Sequence, residues 1–199
     1  MNVKTYLGDL VGGGLWMAES HIIAEKILEQ LSEEEWKNLI IEENILQKKS
    51  PHTAIRYTRT IRTRLQPMGE AYINTLLQVS ERAYVQLLMF ALLCNSPIVV
   101  DFMTQSLAEA HRSYQPRLPQ NAWDSFINDR IRAMPDLKQY SDSTLKKMGN
   151  NTIKALVESG YLNTSRKCDI QPVYLFPEVK EWLEKLHHKD LIPIMECTL

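Results

Sequence analysis

Apolar residues recur at three- and four-residue intervals along nearly the whole chain, the spacing of amphipathic helices. Leu15, Ala18, Ile22, Ile23, Ile27 and Leu31 mark a first helix. Ser32-Glu33-Glu34-Glu35 is a capping box, Ser32 at N-cap and Glu35 at N3, and launches a second helix from Trp36 to about Gln47. After a short break, Ser50 at N-cap and Pro51 at the first helical position open a third helix, 51–65, ended by Pro67 and Gly69. Helices over 70–79, 83–94 and from Pro97 to about Ser113 follow. A stretch at 114–120 carries Pro116 and Pro119 and reads as a linker. Beyond it, Ala122, Trp123, Phe126, Ile127, Ile131 and Met134 mark a helix closed by Pro135, and Tyr140-Ser141-Asp142-Ser143 opens a capped helix, 142–159, with Gly160 at C′. Leu162 and Val173 to Phe176 suggest two short strands paired around the polar tip Asn163 to Asp169, with Pro172 keeping any strand to an edge or to its own far side. Pro177 starts a last amphipathic helix, and the apolar tail Leu191-Ile192-Pro193-Ile194-Met195 is expected to dock on the core, a partner-binding tail being the other reading.

The pattern therefore predicts an all-α, or nearly all-α, compact helical globule. The linker divides it into an N-terminal helical subdomain, 1–114, and a C-terminal winged-helix-like subdomain, 115–199. Two helices joined by a short turn at 36–65 outline a helix-turn-helix, although the turn lacks the usual glycine. Helix 142–159 is the presented helix of a second such unit, with the 162–176 segment as its wing.

Charge gives these two helices a direction. A formal net charge of -1 and a pI near 6.5 argue against a non-specific, histone-like binder, so nucleic-acid binding must rest on local clustering. Such a cluster exists: no Asp or Glu lies between Glu43 and Glu70, a stretch holding Lys48, Lys49, Arg56, Arg59, Arg62 and Arg64. At 100° per residue Ala54, Tyr57, Thr58, Ile61 and Leu65 share one arc, and His52, Arg56, Arg59, Thr60 and Thr63 fall opposite. Lys48, Lys49, His52, Thr53, Arg56, Arg59, Thr60 and Thr63 are thus candidate DNA contacts, arginine reaching phosphates or guanine edges. A solvated helix paired with carboxylates from elsewhere explains the same residues. On helix 142–159 the candidates are Ser143, Lys147, Asn150, Asn151 and Lys154, joined by Arg166 and Lys167 at the wing tip; ordinary surface residues are again the alternative.

Other chemistry is not signalled. Gly12-Gly13-Gly14 lacks the Lys-Ser/Thr of a phosphate loop and reads as a flexible turn. Cys94, Cys168 and Cys197 form no ligand spacing and fit a reduced, cytoplasmic protein; His187-His188 lacks further ligands. No catalytic motif, metal site or cofactor is assigned. No signal peptide is evident. The apolar run from Ala83 to Cys94 falls short of the roughly 20 residues that span a bilayer and reads as a core helix, so no membrane is expected.

Several segments resemble the BrxA family, the small core component of bacteriophage-exclusion (BREX) defence systems. They are Tyr6-Leu7-Gly8-Asp9-Leu10-Val11-Gly12-Gly13 with Glu19-Ser20, Ala54-Ile55-Arg56-Tyr57, Ser80-Glu81-Arg82-Ala83-Tyr84, Ser141-Asp142-Ser143-Thr144 with Lys147-Met148-Gly149-Asn150-Asn151, and Gln171-Pro172-Val173-Tyr174-Leu175. The set spans essentially the whole chain. The resemblance implies an all-helical protein with two helix-turn-helix units that binds double-stranded DNA and works beside a methyltransferase and other defence components. It maps DNA binding onto helices 51–65 and 142–159 and brings no catalytic motif. The resulting expectation is a monomeric, non-enzymatic DNA-binding component, with other BREX proteins as further partners. The alternative is an adaptor that recruits defence subunits without touching DNA. Members of the family are sometimes labelled inner-membrane proteins, a label the short apolar run speaks against.

Overall fold

The most apolar helix sits at the centre, because only complete burial hides a surface that is apolar all round. In the computed structural model, which describes residues 2–198, the helices before it are α1 (Val3–Leu7), α2 (Met17–Leu28), α3 (Glu33–Lys37), α4 (Pro51–Leu65) and α5 (Glu70–Gln78). The central helix is α6 (Glu81–Asn95), followed by α7 (Pro97–Phe102), α8 (Ala108–Arg112), α9 (Ala122–Ala133), α10 (Asp142–Glu158), α11 (Pro177–Lys185) and α12 (Leu191–Met195). Every α6 residue from Ala83 to Leu93 is buried. Neighbours lock it in place: the Tyr72 hydroxyl of α5 donates to the Leu87 carbonyl at 2.6 Å, and Tyr72 meets Phe90 and Trp182 edge-on at 6.1 and 5.2 Å. Ser80 caps α6 as its sequence position predicts.

Among the described residues no single helix is long and apolar enough to cross a membrane, although α6 and the 97–112 run after it pass such a test as a pair bent by 108°. One hydrophobic cluster extends from Val3 to Cys197 and includes residues on both sides of the 114–120 linker. The apolar tail belongs to it: Leu191 and Met195 are buried, and the Tyr161 hydroxyl donates to the Met195 carbonyl at 2.7 Å.

Three local expectations need correction. The helix that opens at the Ser32–Glu35 capping box ends early, as a π-helical turn over Asn38–Glu42. Asn44 then takes the left-handed conformation (φ 48°) that glycine usually supplies in such a turn, and its side chain pins Lys48 by bonds of 2.9 and 3.0 Å to that residue's N–H and carbonyl. Ser50 stands at the N-cap of α4 but makes no side-chain cap bond, so Pro51 alone signals the start.

The third correction concerns the wing. Leu162 bridges Ile170, not the 173–176 segment, and Arg117 in the linker bridges Asp169. Bonds from Leu118 N to Cys168 O (2.9 Å) and from Ile170 N to Pro116 O (3.0 Å) lay the linker beside the 168–170 segment. The basic tip with Arg166 and Lys167 remains exposed. Residues 173–176 instead run extended against α6, where buried Gln86 donates to the Tyr174 carbonyl (2.9 Å) and accepts from the Phe176 N–H (3.1 Å).

Candidate nucleic-acid interface

The amphipathic pattern of α4 buries Ala54, Thr58, Ile61 and Leu65, and that of α10 buries Leu145, Met148, Thr152 and Leu156. Both helices therefore turn their opposite faces outward, but not every polar residue on those faces is available.

The glycine segment consumes several of them. It is not a flexible turn but a strap packed between α4 and α10. A Cβ on Gly12 would lie 2.5 Å from Thr60 Oγ1 of α4, and one on Gly14 would lie 2.9 Å from Glu158 Oε2 of α10, so a side chain at Gly12 would displace Thr60 and one at Gly14 would push aside the Glu158 carboxylate. Thr60, placed by its spacing on the open face of α4, is 6 % exposed because the strap covers it. Arg64, also 6 % exposed, grips the strap completely: Nε donates to both Asp9 oxygens (2.9 and 3.2 Å), Nη1 to the Gly14 carbonyl (2.6 Å) and Nη2 to the Gly13 carbonyl (3.0 Å). Burial pushes the Asp9 carboxyl above its ordinary value, and the charge and hydrogen bonds of Arg64 oppose that rise.

From the other side, Asn151 Nδ2 donates to the carbonyls of Leu10 (2.8 Å) and Val11 (3.3 Å), which commits this candidate base reader to backbone. Glu158 accepts from the Leu15 N–H at 2.8 Å and holds Lys154 at 3.6 Å. Lys48 is paired with Glu19. Burial raises the Glu19 carboxyl, but the Lys48 bond and the charges of Lys48 and Lys154 outweigh it and hold the group below its usual range. On the far flank of α4, Arg62 is forked onto Glu33 at 2.7 and 3.5 Å. Carboxylates from elsewhere in the fold thus neutralise Lys48, Arg62 and Arg64, and Glu158 of the same helix pairs with Lys154.

Among the described residues, Lys49, His52, Arg56, Arg59, Lys146, Lys147, Arg166 and Lys167 are exposed and have no ion-pair partner. Ser143, Asn150 and Thr63 are exposed beside them, and Thr53 is half-buried. Arg56 lies 5.5 Å from the Tyr57 ring centre, and that ring stacks on Trp16 at 3.9 Å and 16°. The ring thus lies beside the guanidinium itself, on a residue that remains exposed. Lys146 was missed on reading the sequence, although its i,i+4 relation to Asn150 puts both on one outward row. No group of three or more His, Cys, Asp or Glu side chains suited to a metal ion occurs among the described residues.

The family model for BrxA matches residues 4–187. The chain belongs to the BrxA family. A relative named BREX protein BrxA from Escherichia coli O9:H4 (strain HS) is 44 % identical over 195 residues, covering 98 % of this chain and 92 % of the relative. A second BREX protein BrxA, from Paramagnetospirillum magneticum strain AMB-1, is 29 % identical over 194 residues, with 98 % of each chain covered. The crystal structure of an uncharacterized protein from Magnetospirillum magneticum superposes with a TM-score of 0.86 at 27 % identity, over 97 % of this chain and 99 % of that one. The helical BrxA arrangement described above therefore recurs over nearly the full length of a solved chain.

Proposed function

We propose that this chain is a non-enzymatic, double-stranded-DNA-binding component of a BREX phage-defence system. It grips the duplex mainly through phosphates, using two helix-turn-helix units, one ending in α4 and one in α10. The supporting observation is the position of the free cations around the strap. Arg56 stands one helical turn before Thr60, which abuts Gly12, and Lys147 stands one turn before Asn151, which holds Leu10 and Val11. The five residues from Leu10 to Gly14 reach at most about 18 Å, and one turn adds about 5 Å on each side, so the two cations are anchored within roughly 30 Å. One turn of duplex is about 34 Å long, so this separation is within the span of a single DNA segment. Arg166 and Lys167, on the tip that follows α10, add backbone contacts in the manner of a wing.

Membership of the BrxA family makes other BREX proteins natural partners. The adaptor alternative uses the helical surface and the apolar tail, and of that tail Leu191 and Met195 are buried in the core.

The test is a duplex titration across a salt series. Arg56→Ala and Lys147→Ala should each reduce the salt slope by about one, as loss of one phosphate contact requires, whereas Arg62→Ala should leave it unchanged. Salt-independent binding, or an unchanged slope in both of the first two variants, rejects the reading in favour of the adaptor.

A further inference from the structure

The flank of α4 away from the strap carries a recess that meets the candidate DNA contacts only at Arg59 and Thr63. This recess, of about 420 Å³, opens between α3, the π-helical turn after it and α4. That size falls within the range of small-molecule sites, roughly 300–1,000 Å³. Trp36, Ile40, Ile41 and Ile55 give it apolar walls, and Ile55 is 43 % exposed, one of few large apolar side chains left in solvent. Lys37, Arg59 and Arg62 supply its positive charge against one carboxylate, Glu33, which Arg62 already holds while stacking 4.6 Å over Trp36. Lys37 and Arg59 have no anionic partner among the described residues.

Thr58 adds a second, independent sign. Helical threonines elsewhere in the fold satisfy their hydroxyls on the carbonyl four residues back, as Thr63, Thr75, Thr104 and Thr152 do. Thr58 lines the recess, is 95 % buried by its 5 % exposure, and its Oγ1 has no partner; Arg62 Nε beside it is also unpartnered. Unsatisfied buried polar atoms are costly, and they gather here in the wall of a cavity with surplus positive charge.

We infer that this recess binds a small amphiphilic organic anion. The apolar body rests on Ile40, Ile41 and Ile55, and the anionic head meets Arg59 and Lys37 at the rim. The inference does not depend on DNA binding, since it concerns a ligand measured in the absence of nucleic acid.

Calorimetric titration with decanoate tests it, with decyltrimethylammonium as a cation of the same chain length and both kept below micelle formation. Saturable binding of one decanoate per chain is expected, with far weaker binding of the cation. Arg59→Glu should weaken decanoate binding about tenfold or more, the loss of one charge-assisted contact. Ile55→Glu should weaken it as well, with Ile55→Ala as a milder variant; both sites are exposed helix positions, so melting temperatures should stay close to wild type. Absence of saturable decanoate binding, equal binding of the cation, or unchanged affinity in both the Arg59 and Ile55 variants would overturn the inference.

Discussion

α4 and α10 are both amphipathic helices, and in each the first turns keep their polar residues free while the C-terminal half spends them on the rest of the fold. In α4 the C-terminal half is committed: Thr60 is under the strap, Arg62 is on Glu33 and Arg64 is on Asp9 and two glycine carbonyls. Its first turns keep His52, Arg56 and Arg59 free. In α10 the first turns keep Ser143, Lys146, Lys147 and Asn150 free, and the later part, Asn151, Lys154 and Glu158, is committed to the strap or to pairing. The contrast between the two halves of each helix teaches that the number of cations on a helix is a poor guide to the field it presents. What matters is which of them another segment has already taken.

Removing Arg64 should break this division most severely. Arg64→Ala leaves the Asp9 carboxylate buried without a partner and frees two carbonyls, a loss of about 3–5 kcal/mol. Urea denaturation should show a much lower midpoint at an unchanged slope. The corresponding cut on the α10 side is smaller. Asn151→Ala removes one amide from two strap carbonyls and should cost about 1–3 kcal/mol by the same measurement. Smaller still is Lys154→Ala, which removes a half-exposed pair and should stay within about 1 kcal/mol. If Lys154→Ala proves as damaging as Arg64→Ala, the contrast between a buried and a solvated grip on the strap is wrong.

Glu19 offers a pH test, because it pairs with Lys48 and feels Lys154. Its folded-state value is lowered, so its contribution is present above the ordinary glutamate value of 4.5 and lost as pH falls through the lowered one. Wild type should therefore lose stability below about pH 4.5 more steeply than Glu19→Gln, with thermal melts at successive pH values as the readout. Parallel acid limbs would show that the pair carries no such linkage.

Much of the fold was legible because its signals are local. The capping boxes and proline starts depend on residues three or four apart, and the buried run of α6 declares itself by composition. The strap was illegible for the converse reason: Gly12 meets Thr60 and Gly14 meets Glu158, partners that no nearby residue announces. Thr60 was misplaced by a helical wheel that knows the helix but not what covers it. Likewise the carboxylates that neutralise Lys48, Arg62 and Arg64 are Glu19, Glu33 and Asp9, all outside the acid-free stretch from which the charge was read. The expected wing named the right tip but the wrong pairing, since the linker, not 173–176, competes for the 168–170 backbone.

The side chain of Gln86 has a consequence for solubility. Its amide offers the extended 174–176 backbone one donor and one acceptor, the pair that an adjoining strand would otherwise provide. With Tyr174 78 % exposed on the same segment, an apolar residue at position 86 would leave a sticky, unpaired edge open to another molecule's backbone. A single glutamine thus pairs the backbone at an edge that, among the described residues, no sheet closes.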